Sequence, residues 1–105
     1  MLQTIANAIG GKAVTSASQR LAPIHNPATG EQSAALPLST AAELNEAVAA
    51  AKAAFPAWSA MPPLKRARVL FRFKDLLEQN TDRIATIISA EHGKTHDDAV
   101  GEVQR

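Results

Sequence analysis

The placement of glycine and proline constrains this chain more than any other feature. The chain has five glycines and six prolines. Gly10, Gly11, Pro23, Pro27, Gly30 and Pro37 all fall before residue 39, and the apolar residues between them come only in short runs. Proline removes a backbone donor and glycine relaxes the backbone, so a long helix is disfavoured there. Short strands joined by turns fit instead. IANAI followed by GGKAV predicts two strands about a tight turn, and RLAPIHNPATGEQSAALPL predicts a second pair turning at NPATG. Asn26-Pro27 calls for an extended residue before the ring, and Gly30 supplies the positive φ that closes the turn.

From Ser39 the period changes to that of a helix. Ser39 or Thr40, followed by Glu43, has the spacing of a capping box, and Leu44, Val48, Ala51 and Phe55 then share one face. AVAAAKAA has high helix propensity, and Pro56 is expected to limit how far the helix runs. Pro62-Pro63 opens a second helix, because proline is tolerated in a first turn. In that helix Val69, Leu70, Phe73, Leu76 and Leu77 form a stripe expected to be buried, opposite Lys65, Arg68, Arg72 and Asp75. Asn80, Thr81 and Asp82 are placed to end it and cap a third helix carrying Ile84, Ile87 and Ile88. Thr95 with Asp98 has the T-x-x-D spacing for a fourth, which carries Ala99, Val100 and Val103. The expected fold class is therefore an α+β segment, with short hairpins over 1–38 followed by three to four amphipathic helices over 39–105.

EHGKT at 91–95 ends like a phosphate-binding loop, but its context excludes that reading. The motif needs a second glycine five residues before Gly93, where this chain has Ile88, and it needs a strand leading in, where TDRIATIISAE has helical spacing. Gly93 is better read as the residue just past a helix end. It also separates His92 from His96, so the two imidazoles fall on different elements. Only Asp97 and Asp98 remain as further ligands, and no metal site is expected. The run KRARVLFRFK reads as the solvated basic side of an amphipathic helix and not as a nucleic-acid surface, since Phe73 belongs to the apolar face and Phe71 to its edge.

Eleven basic and ten acidic residues leave a net charge of +1, so no overall field favours nucleic acid or an anionic membrane. The absence of cysteine excludes a disulfide framework, a thiolate metal site and a cysteine nucleophile within these residues. The N-terminus lacks a basic, apolar leader, and no run approaches a membrane span, so a soluble, cytoplasmic location is expected. The chain stops at Val103-Gln104-Arg105 within a helical pattern, which is the expectation for a segment of a longer protein.

Four short motifs carry a resemblance: IGGK at 9–12, NPATGE at 26–31, AFPAW at 54–58 and EHGKT at 91–95. In this order they resemble the N-terminal part of the aldehyde dehydrogenase superfamily. HNPATGE, AFPAWS, RARVLFRFKDLLEQN and EHGKTHDDAVGEVQR are similar to its CoA-acylating, methylmalonate-semialdehyde branch. The one departure, at Ala8-Ile9-Gly10-Gly11, where the family usually has an asparagine before the glycine, touches only a turn.

The resemblance implies a larger α/β fold whose NAD-binding domain begins with these residues and is incomplete at Arg105. It also implies oxidation of methylmalonate or malonate semialdehyde to propionyl-CoA or acetyl-CoA, with NAD as cofactor and coenzyme A as co-substrate. The partners implied are the rest of the enzyme chain and further copies in a homo-oligomer, with no nucleic acid or membrane. The family's thiolate nucleophile has no counterpart here, so these residues alone are expected to be inactive. Carried onto GEVQR, the resemblance makes Arg105 a clamp for the substrate's distal carboxylate; the alternative is a surface arginine paired with Glu102 or Gln104. A non-catalytic helical interaction module, or a remnant, is the competing reading of the whole chain.

Overall fold

The computed structural model describes residues 2–105. Five strands precede four helices: β1 (Gln3–Thr4), β2 (Asn7–Ile9), β3 (Lys12–Val14), β4 (Leu21–His25), β5 (Gln32–Pro37), α1 (Ala41–Ala60), α2 (Pro63–Gln79), α3 (Thr81–His92) and α4 (His96–Gln104). This is the α+β order read from the sequence. The residues divide into two compact units, 2–25 with 32–60, and 26–31 with 61–105. No helix among the described residues is long and apolar enough to cross a membrane.

In the first unit both expected hairpins form. β2 and β3 pair antiparallel, with Asn7 opposite Val14 and Ile9 opposite Lys12, and the two intervening glycines take φ of 58° and 75°. Positive φ at both central residues is what a two-residue turn matching the strand twist demands. β4 and β5 pair antiparallel from Leu21↔Pro37 to Ile24↔Ala34, with an irregularity at His25. The sequence did not reveal β1, which pairs parallel with β5 through Gln3↔Ala34 and Thr4↔Ala35 and makes β5 the central strand. Two residues are too few to show a period.

The start of α1 is a reciprocal capping box centred on Thr40. The Thr40 N–H donates to Glu43 Oε2 at 2.7 Å, and the Glu43 N–H donates to Thr40 Oγ1 at 3.2 Å. The same carboxylate accepts from the Ala17 N–H at 2.8 Å and the Ser16 hydroxyl at 3.0 Å, so it also holds the connection between β3 and β4. Asn7 and Ser39 add a side-chain hydrogen bond of 3.0 Å between the first hairpin and the approach to α1.

One expectation about helix ends is sharpened and one corrected. α1 carries Pro56 within it and ends at Ala60. Proline costs its own N–H bond and crowds the carbonyl one turn back, but the N–H groups after it can still bond to the preceding turn. Asn80 and Thr81 do not cap α3 with their side chains. The Asn80 amide donates to Leu76 O at 2.8 Å and the Thr81 hydroxyl to Leu77 O and Glu78 O, so both finish α2 instead. The chain passes between the two helices without a linker, and the carbonyls of the finished helix are nearer than the amides of the next.

The second unit is built from α2, α3, α4 and the turn 26–31. Its fully buried residues are Ala85 of α3 and Ala99 of α4, both at 0% exposure. Side chains this small let two helices approach closely. The α2 stripe is not buried as expected: Val69, Leu70 and Leu76 are at least half exposed, and Phe73 is 58% exposed. On α1, Leu44, Val48 and Phe55 are similarly open. Full burial of one such side chain is worth roughly 1.5–3 kcal/mol, so the stripes forgo a sum comparable with the whole stability of a small domain, about 5–15 kcal/mol.

Two outcomes follow for the folded chain. The contacts around Glu43, led by the Thr40 and Ala17 N–H groups and then the Ser16 hydroxyl, pull its pKa from the usual 4.5 to about 2. Their contribution is fully present above pH 4.5 and disappears as pH falls towards 2. Glu43→Gln therefore lowers the urea midpoint at pH 7, and the difference from the parent closes as pH falls through that window; a pH-independent difference would contradict this account. Gly93→Ala, at a φ of 85° with the new Cβ only 3.0 Å from Pro27 Cγ, costs about 1–2 kcal/mol from left-handed strain alone. A double-mutant cycle with Pro27→Ala measures the steric part as a positive coupling, and strict additivity would show that the contact does not matter.

Candidate functional site

The segment that resembles a phosphate loop is a helix–turn–helix junction. α3 closes at His92, and Gly93 takes a left-handed conformation with φ 85° and ψ 7°, its N–H donating to Ser89 O at 2.9 Å. Thr95 then has an extended backbone, and its hydroxyl accepts from the Asp98 N–H at 3.3 Å, the T-x-x-D cap expected from the sequence. Asp97 and Asp98 lie in the first turn of α4, where their charges suit the positive end of the helix dipole.

Two side-chain pairs hold the junction. His96 Nε2 lies 3.0 Å from Asp82 Oδ1, joining the first residue of α4 to the first turn of α3. Lys94 Nζ donates to Glu102 Oε1, joining the turn to the far end of α4. Only 18% of the Lys94 side chain is exposed, against 46% for Glu102. The lysine beside it holds the Glu102 carboxyl below its usual range, with smaller contributions from His92 and Arg105. His92 and His96 fall on different helices, as their separation by Gly93 predicts.

Arg105 follows the last turn of α4, and its N–H donates to Glu102 O at 3.3 Å. Its side chain turns back along the helix, with Nη2 3.6 Å from where a Cβ on Gly101 would stand. Arg105 makes no ion pair with Glu102, whose Oε1 accepts from Lys94. Among the described residues no carboxylate of another residue lies within ion-pairing distance of the Arg105 guanidinium. A groove beside it, between α2 and α4, is lined by Lys74, Leu77, Glu78, Thr81, Val103 and Gln104. The lysine in that groove is committed to Glu78 at 2.6 Å.

In the first unit, a recess lined by Ile9, Leu44 and Ala47 also contains Asn7, Ser39 and Glu43. Its polar groups are spent: Asn7 and Ser39 bond to each other, and Glu43 serves the cap. Sequence reasoning singled out Arg105 but missed the Lys94–Glu102 pair. A separation of eight residues lies outside the i+3 and i+4 rule for local helix pairs, and only the geometry of the turn closes it.

Comparison with known proteins gives this arrangement a family. The model of the aldehyde dehydrogenase family matches residues 13–105. A malonate-semialdehyde dehydrogenase of Pseudomonas aeruginosa is 51% identical over 102 residues, covering 97% of this chain and 20% of its own length. A solved methylmalonate-semialdehyde dehydrogenase from Oceanimonas doudoroffii superposes with a TM-score of 0.94 at 48% identity, over 98% of this chain and 21% of that one. A structure from Sinorhizobium meliloti, described as a methylmalonate-semialdehyde dehydrogenase complexed with NAD, gives 0.96 at 45% identity, over 100% and 21%. The chain thus spans about a fifth of the length of the relatives it matches. With nearly all of its residues accounted for by that family model and the same fold in solved members, the chain belongs to the aldehyde dehydrogenase family.

Proposed function

We propose that these residues form the N-terminal part of the NAD-binding domain of an NAD-dependent aldehyde dehydrogenase acting on malonate or methylmalonate semialdehyde. Coenzyme A would take the acyl group, giving acetyl-CoA or propionyl-CoA. The observation that carries this reading is the agreement, over nearly the whole chain, with dehydrogenases of those two semialdehydes. The rest of the enzyme chain and further copies of it in a homo-oligomer are the proposed partners.

Arg105 is the residue of this chain that would touch substrate. Both semialdehydes carry a carboxylate at the end remote from the aldehyde, and a guanidinium offers that group two parallel N–H donors. A neutral aldehyde such as propanal offers nothing in return. The binding energy of the clamp therefore goes into choosing carboxylated aldehydes, and it also fixes the distance from the grip to the reacting carbon. The Lys94 hydrogen bond to Glu102, the acidic side chain three residues before Arg105, supports this role.

The remaining machinery is assigned elsewhere. NAD, when bound, supplies the oxidising capacity, but the residues here do not fit its phosphates: the turn at Gly93 is packed on Pro27, and the start of α4 carries Asp97 and Asp98. A dinucleotide would meet repulsion there in place of the open backbone amides it needs. The chain has no cysteine, so the thiolate that the family resemblance implies also belongs outside 1–105.

In the full-length enzyme, Arg105→Ala raises the KM for methylmalonate semialdehyde by about 10- to 100-fold, the worth of one charge-assisted hydrogen bond or two, and barely alters that for propanal. Arg105→Lys, which keeps the charge but not the fork, recovers only part of the loss. Steady-state kinetics on the two aldehydes decides the matter, and an equal rise for both rules out the clamp. The separate 105-residue chain is expected to reduce no NAD with either aldehyde, as followed by nicotinamide absorbance.

A further inference from the structure

Lys94 has no part in the reading above, yet it is better enclosed and more firmly paired than a surface lysine needs to be. It stands in the turn after α3 and reaches the Glu102 carboxylate, while most of its stem is covered. Glu102 sits three residues before Arg105, the separation at which an acidic and a basic side chain meet on a helix surface. Arg105 already lies close on the backbone, its N–H on Glu102 O, and its guanidinium folds back over Gly101 towards the same stretch of α4. Two cations therefore act on one carboxylate, and Lys94 holds its Oε1.

We infer that Lys94 is a positioning residue for Arg105: by holding Glu102 Oε1 and offsetting its charge it weakens that carboxylate's pull on the guanidinium, which stays open to the carboxylate of a substrate. The inference deepens the proposed clamp and rests on it. Without Lys94, Glu102 would oppose a substrate carboxylate in two ways: by pairing with Arg105, and by placing an uncompensated negative charge beside the site. Removing the charge of Glu102 as well should abolish both effects. A purely structural role for the Lys94–Glu102 pair predicts the opposite, since deleting the second partner would then restore nothing.

The test uses the full-length enzyme with methylmalonate semialdehyde and propanal as substrates, and Arg105→Ala as the reference. Lys94→Met is expected to raise the KM for the semialdehyde about two- to five-fold, the strength with which an exposed ion pair competes, with kcat and the KM for propanal unchanged. Lys94→Met/Glu102→Gln returns the semialdehyde KM to the parent value, and Glu102→Gln alone leaves it equal or lower. A Lys94→Met effect that is equal on both substrates, or that persists in the double variant, overturns the inference. Should Lys94→Met not fold, Glu102→Gln alone decides: a semialdehyde KM raised towards that of Arg105→Ala refutes it. If Arg105→Ala itself fails to distinguish the two aldehydes, the clamp reading falls; if it does distinguish them and Lys94→Met does not, only the role of Lys94 falls.

Discussion

The second unit depends on one backbone conformation, the left-handed turn at Gly93. Its φ of 85° ends α3, and the absence of a side chain lets Pro27 of the 26–31 turn pack against it. A residue with a Cβ would meet both a torsional penalty and a steric one. From this turn the chain runs directly into the Thr95 cap, so the start and direction of α4 are set within two residues. The lysine of the motif is thus useful for where the glycine puts it, and its charge acts on a carboxylate and not on a phosphate.

In the first unit a single carboxylate does comparable work. Glu43 completes a capping box, and it also accepts from Ala17 and Ser16 on a connection more than twenty residues earlier in the chain. A helix start commonly needs its orphan amides satisfied from nearby. Here the group that satisfies one of them also gives the irregular stretch before β4 a fixed partner, without any apolar burial.

Much of this was legible in residue order because it rests on local chemistry. The Gly10-Gly11 turn, the NPATG turn, the Thr40 box, Pro63 in the first turn of α2 and the Thr95 cap are each decided by neighbours within five residues. What was not legible depends on competition or distance. Pro56 limits α1 without fixing its last residue, because its own lost bond is visible in sequence while the intact bonds of the residues after it are not. Asn80 and Thr81 had two helix ends to serve, and residue type alone does not say which one wins. At the candidate site the arginine could be singled out by resemblance, but the partner of Glu102 is a lysine eight residues before it, outside any local helix spacing. The exposed stripe of α2 shows the same limit: periodicity names the face that prefers burial and says nothing about what covers it.

The packing of α3 and α4 has an implication for how such a site changes over time. Their fully buried residues are alanines, side chains small enough to let the two helices approach closely. An interface of this kind has no room to absorb a larger side chain by switching rotamer, and an added methyl group at Ala85 or Ala99 must be met by movement of a helix. Arg105 follows Ala99 along the same helix, so such movement carries the guanidinium with it. For the clamp proposed at Arg105, two small interior positions would then tune the grip without touching what it holds.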